Sequence, residues 1–142
     1  MVAAPRVGVA ALQGGEWSDD GTDYSKGDFL AAYDETAEQT LAAFSEPGAL
    51  ERTVRLPFTE VPGAFLRMMI TTDQFTHGWD LARATAQPTD LQPALAEELL
   101  GQVAIPDELR GEDGVAPFGP ERPAPAGACP ADRLAALLGR AI

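Results

Sequence analysis

Asp73 and His77 are the residues of this chain whose types and spacing can do chemistry together. They lie four apart in the run Thr71-Thr72-Asp73-Gln74-Phe75-Thr76-His77-Gly78-Trp79-Asp80-Leu81-Ala82-Arg83-Ala84, which holds the chain's one histidine. On a helix, side chains four apart stand one above the other on the same face. A carboxylate and an imidazole stacked in this way can both donate to one divalent ion. Zn²⁺, Fe²⁺, Ni²⁺ and Mn²⁺ all accept that pair, and nothing in the spacing selects among them. The same spacing also suits an internal hydrogen bond from imidazole to carboxylate, which is the commoner outcome of such a pattern. A bound ion usually takes three or more protein ligands, so a third would have to come from elsewhere.

The neighbouring residues have plainer expected roles. Asp80, one turn on, is an i+3 neighbour of both His77 and Arg83, and a salt bridge to Arg83 is expected before ligation. Trp79 is expected in a core or interface more than as the lining of a pocket. Cys129 lies in a Pro/Ala-rich stretch with no second histidine to activate it, and is read as incidental. The sequence contains no Gly-x-Ser-x-Gly elbow, phosphate loop or dinucleotide fingerprint.

The bulk properties narrow the field. A chain of 142 residues can bury a real core, and the expectation is one helical domain over 1–142. Its 22 acids against 10 bases give a formal net charge of −12. Such a surface repels phosphate backbones and anionic lipid, so neither nucleic acid nor membrane is an expected partner. One cysteine rules out an internal disulfide framework. The opening residues 1–12 are broken by Pro5, Arg6 and Gly8 and are too short to cross a bilayer. Together these point to a reducing cytoplasm.

Helices must position the pair, and their signals are readable. Residues 1–14 predict a short helix stopped at Gly14-Gly15, and 15–27 read as loop. Asp28 is the expected N-cap of a helix over 29–45. Leu30, Tyr33, Ala37, Leu41 and Phe44 recur at steps of three and four there, predicting one buried stripe. At 51–58, Val54, Leu56 and Phe58 alternate with polar or Pro positions, predicting a single short edge strand. Pro62-Gly63 is expected to open the central helix, which should run to about residue 85. Gly78 weakens that helix locally and invites close packing. Further helices are predicted over 93–104, with Leu95, Leu99 and Val103 in register, and over 130–139, packing through Leu134, Leu137 and Leu138. The Pro/Gly/acid-rich stretch 105–130 is long for a loop, and its 115–118 part is expected to pair with the 51–58 segment.

Three stretches carry a resemblance: Leu50-Glu51-Arg52-Thr53-Val54-Arg55-Leu56-Pro57-Phe58, then Val61-Pro62-Gly63, then His77-Gly78-Trp79-Asp80-Leu81-Ala82-Arg83-Ala84. With the close from Phe118-Gly119-Pro120 through Asp132-Arg133-Leu134 to Leu138-Gly139-Arg140, the chain from about residue 25 resembles the actinobacterial metal-binding proteins related to mycothiol-dependent maleylpyruvate isomerase, in the DinB/YfiT-like superfamily. The resemblance implies an all-α, up-down bundle around a divalent metal. In that family the metal is held by a histidine from an early helix, then an acid or histidine and a second histidine four residues apart. Asp73 and His77 match the later pair. Relatives use mycothiol or another low-molecular-weight thiol, whose pKa the metal lowers to give a thiolate.

The chain departs from that pattern. The family's first helix and the histidine-bearing start of its second have no counterpart, so the expected fold is a DinB-like bundle lacking its first helix, with a short extended segment near 51–58. No histidine precedes His77, so a three-ligand site is not expected within one copy. Exposed apolar faces would follow, and a homodimer would cover them. The expected function is a metal-dependent, mycothiol-type transferase or isomerase, with zinc or a similar ion and mycothiol as cofactors. The alternative is a non-catalytic helical module that binds a small apolar ligand or a partner protein, with Asp73 and His77 as a structural pair.

Overall fold

In the computed structural model, which describes residues 1–142 apart from 19, 20, 58, 113, 114 and 117, the fold is mainly α-helical with one small antiparallel hairpin. The elements are α1 (Ala3–Leu12), α2 (Phe29–Ser45), β1 (Thr53–Arg55), β2 (Glu60–Pro62), α3 (Gly63–Ala84), α4 (Pro93–Gln102), a 3₁₀ turn (Asp107–Leu109) and α5 (Pro130–Leu137). The chain packs as two compact units, Met1–Gln74 and Phe75–Ile142, with α3 running through the boundary. No helix among the described residues is long and apolar enough to cross a membrane.

In the first unit, the alternation at 53–56 does produce a strand, but it is not single. Thr53, Val54 and Arg55 pair with Pro62, Val61 and Glu60. The turn is closed by the Leu56 N–H on the Thr59 carbonyl at 2.8 Å, while Phe58 lies outside the described residues. Pro62, expected to open α3, instead ends β2, where a missing N–H is tolerated. The core gathers Leu12, Val54 and Leu66 at full burial, with Ala11, Ala43, Ala49, Leu56 and Ile70 around them. Gly8 matters here, because a Cβ on it would stand 2.5 Å from Ile70 Cδ1, so a larger residue would force the end of that side chain to shift. Arg52 closes the end of α1 by donating from Nη1 to the Leu12 carbonyl at 3.0 Å.

The helix α2 begins as expected, with the Asp28 carboxylate accepting the Ala31 N–H at 3.0 Å. Its buried face does not follow the expectation. Leu30 is 63% exposed and Leu41 71%, whereas Thr36 and Ala43 are buried. Small side chains allow close approach, and the Thr36 hydroxyl donates to the Ala32 carbonyl at 2.7 Å, so burying it leaves no polar group unpaired. The larger apolar residues of the predicted stripe stand at the margin of this face or outside it.

In the second unit, Pro93 and Pro130 sit at the first turns of α4 and α5. These two helices pack on each other through Leu99, Leu134 and Leu138, with Leu95 and Val103 partly buried beside them. α4 ends at Gln102 and α5 at Leu137, each two residues short of the predicted end. Gly139 turns the chain at φ 91°, and a Cβ there would lie 2.8 Å from Gly119 Cα, so glycine is required twice over. The predicted pairing of 115–118 with the 51–58 segment involves Phe58 and Pro117, which lie outside the described residues. Within the second unit, Phe118 bridges in parallel to Arg110. The Arg110 guanidinium holds this turn by donating to the Gly119 and Leu137 carbonyls at 3.3 and 2.9 Å.

Candidate functional site

The continuous helix α3 places Asp73 and His77 one turn apart, as the spacing required, and both are half-buried. The Asp73 carboxylate accepts from Gln74 Nε2 at 2.9 Å. His77 turns Nδ1 toward the next turn, where it stands 3.5 Å from Asp80 Oδ2, with the two side chains 41% and 38% exposed. Asp80 is itself gripped at two points. Arg140 Nε lies 3.3 Å from Oδ1 and Nη2 3.1 Å from Oδ2. The expected Asp80–Arg83 bridge is thereby replaced. A guanidinium fork reaching the carboxylate from beyond α5 satisfies both oxygens, which a neighbour on the same helix does less well. Arg83 lies instead over the Trp79 ring, 5.6 Å from its centroid.

Gly78 makes no unusually close packing. A Cβ there would meet Leu91 Cδ1 at 3.9 Å, an ordinary contact. Trp79 is core, 3% exposed, against Ala96, Ala131 and Ala135. Its Nε1–H donates to Asp132 Oδ1 at 2.8 Å, so the one polar atom of a buried indole is satisfied. Burial alone would push the Asp132 carboxyl up. Hydrogen bonds from Trp79, Thr89 and Cys129, helped by the charge of Arg83, outweigh burial and hold it below its ordinary value. Cys129, which packs beside this cluster, has its thiol pushed up, first by burial and then by the adjoining carboxylate. Both effects disfavour its thiolate form.

The depressed Asp132 value sets a pH dependence. Its charged form is favoured by folding, so the stabilisation is complete above the ordinary aspartate value of 3.8 and fades as pH falls through the lower folded value. Replacing Asp132 by asparagine should flatten the stability–pH curve below that value relative to wild type, as read from urea midpoints. A slope identical to wild type would contradict the assignment.

Among the described residues, no group of three or more His, Cys, Asp or Glu side chains is placed to hold a metal ion. One copy thus carries Asp73 and His77 four residues apart on α3, with Asp80 and Arg140 beside the imidazole. Sequence reasoning did not find Arg140, Asp132 or Thr89. Each meets its partner across a long chain separation or a loop, and no periodicity signals either.

No family model matches this chain, and no solved structure matches it. Two uncharacterized proteins of Mycobacterium tuberculosis, from strains CDC 1551 / Oshkosh and ATCC 25618 / H37Rv, are each 43% identical to it over 115 residues. That stretch is 80% of this chain and 62% of each relative, so the chain spans less than two thirds of the curated relatives it matches.

Proposed function

We propose that this chain is a metal-binding helical protein of the DinB/YfiT-like superfamily, of the class that uses a low-molecular-weight thiol such as mycothiol in transferase or isomerase chemistry. The observation that supports this reading is the support behind His77. A carboxylate locked by a guanidinium stands against one ring nitrogen, while Asp73 sits one turn back on the same helix. Metal-ligating imidazoles are commonly backed by a carboxylate in this way. Asp73 and His77 fit a divalent ion in kind. In number they fall short, so water, a thiol or a residue of a second copy has to complete the shell. A bound ion would act as a Lewis acid on the thiol. This chain's own part is to hold the imidazole and the carboxylate at fixed spacing.

The reading includes a homodimer, with a second copy covering the exposed Leu30 and Leu41 of α2. Its test is metal analysis of protein purified without an affinity tag. Stoichiometric metal in the wild type, reduced at least tenfold in His77→Ala with the helical circular dichroism retained, is the expected result. Metal-free wild type after growth with added zinc, iron or manganese would overturn it.

A second reading is favoured by the same α2 surface. Phe29, Leu30, Tyr33 and Leu41 are all exposed, which suits a non-catalytic module that docks a partner protein or small apolar ligand. Under that reading the Asp73–His77 stack is structural, and light scattering would give a monomer at micromolar concentration.

A further inference from the structure

We infer that the exposed edge of α2 docks a basic amphipathic helix of a partner protein. The inference rests on the second reading above, in which α2 is a docking surface, and adds the chemistry of what lies on it. Leu30, Tyr33, Ala37 and Leu41 follow one another along α2 at steps of three and four. They therefore form one continuous row, about 16 Å long at the rise of an α-helix. Leu30, Tyr33 and Leu41 are exposed, and Ala37 is half-buried between them. On its inner side the row borders the face on which Thr36 and Ala43 are buried.

On its outer side stand Asp34 and Glu38, both exposed and each one position on from a residue of the row. Four residues apart, they lie one above the other, about 6 Å along the axis. Among the described residues neither carboxylate takes part in an ion pair or accepts a hydrogen bond. Glu35, the third charged residue of α2, points away from the row and accepts from Gln39 Nε2 at 3.0 Å. The helix carries no lysine or arginine.

The apolar row drives burial, and the two carboxylates select what is buried against it. A neutral flank laid beside them would strip their water and offer nothing in return. Lys or Arg at two positions four apart matches their spacing and replaces that loss with ion pairs. The row itself suits a helix, whose anchors recur at i, i+3 and i+7. A second copy of this chain is the poorer occupant. It would bring its own Asp34 and Glu38, with no base on α2 to answer them, and each copy has a formal net charge of −12.

Capped, dye-labelled amphipathic peptides of about 18 residues, roughly 27 Å as helices, are long enough to test this by fluorescence anisotropy with the full chain. Each has Leu at i, i+3, i+7 and i+11 on an Ala background, with Lys, Gln or Glu at the flanking positions. The Lys peptide should bind tightest and the Glu peptide weakest. Asp34→Asn combined with Glu38→Gln should weaken the Lys peptide by about 3- to 10-fold, the worth of two exposed ion pairs. Leu30→Ala combined with Leu41→Ala should weaken it by at least about tenfold. Glu97→Gln combined with Glu98→Gln removes equal charge from α4 and should leave binding unchanged. Circular dichroism verifies that each variant stays folded.

A Lys peptide bound no better than the Gln peptide would overturn the basic partner and leave α2 a docking surface. An equal loss in the α4 control would mean general attraction to an acidic protein, and would overturn it too. No peptide bound at about 1 mM would sink the docking reading itself. A dimer in light scattering that dissociates on Leu30→Ala with Leu41→Ala would put a second copy on the row and overturn the inference.

Discussion

Trp79→Ala is expected to destabilise the second unit by about 3–5 kcal/mol, the usual cost of emptying a large aromatic site in a packed core. Two effects act together. The indole, 3% exposed, is clustered with Ala96, Ala131 and Ala135, whose methyl groups cannot reach into the vacated space, while Phe75, Leu91 and Ile142 at the edge can fill only part of it. The substitution also takes the Nε1–H away from Asp132, leaving that carboxylate with fewer donors. Trp79→Phe separates the two effects: it keeps most of the apolar volume and removes the donor, for an expected cost of about 1–3 kcal/mol. Urea unfolding followed by far-ultraviolet circular dichroism, with hydrogen exchange at the amides of α4 and α5, measures both. A loss below about 1 kcal/mol in Trp79→Ala would mean that the indole does not hold this core together.

Leu66→Ala is the corresponding change in the first unit, with an expected cost of about 2–5 kcal/mol. Leu66 has no exposed surface and belongs to the cluster formed by Leu12, Val54 and Ile70. Those neighbours come from α1, β1 and α3, so truncation weakens three elements at once. Leu41→Ala supplies the control. The two residues are chemically identical, but Leu41 is 71% exposed on α2 of a single copy, so in a monomer its truncation should stay within about 0.5 kcal/mol of wild type, whereas the proposed homodimer raises that cost. Similar losses for the two leucines would show that the α2 stripe is covered in solution, as the homodimer requires. The urea midpoints of the pair therefore test core assignment and surface coverage together.

Much of the helical skeleton was legible in the residues because its signals are local. Asp28 caps α2, Pro93 and Pro130 start α4 and α5, and Gly139 turns the chain after the last helix. That Asp73 and His77 share one helix, four residues apart, was legible for the same reason. Burial was less legible. Periodicity located α2 but not its inner face, because that face is chosen by what packs on it, and Thr36 with Ala43 fits more closely than Leu30 with Leu41. A strand as short as Glu60–Pro62 has too few residues to display a period, so Pro62 read as a helix opener. The contacts that define the candidate site were beyond reach. Asp80 meets Arg140 across 60 residues and Trp79 meets Asp132 across 53, and only tertiary folding brings them together.

The chain has two tryptophans, and each unit holds one: Trp17 is partly buried against the core that contains Leu12 and Leu66, and Trp79 is enclosed in the other. Each unit therefore carries its own built-in fluorophore. With Trp17 changed to phenylalanine, emission from the remaining indole follows the second unit alone, and an unaltered chain adds the signal of the first. Whether the halves melt in one step or in succession can thus be read optically, without attaching a dye.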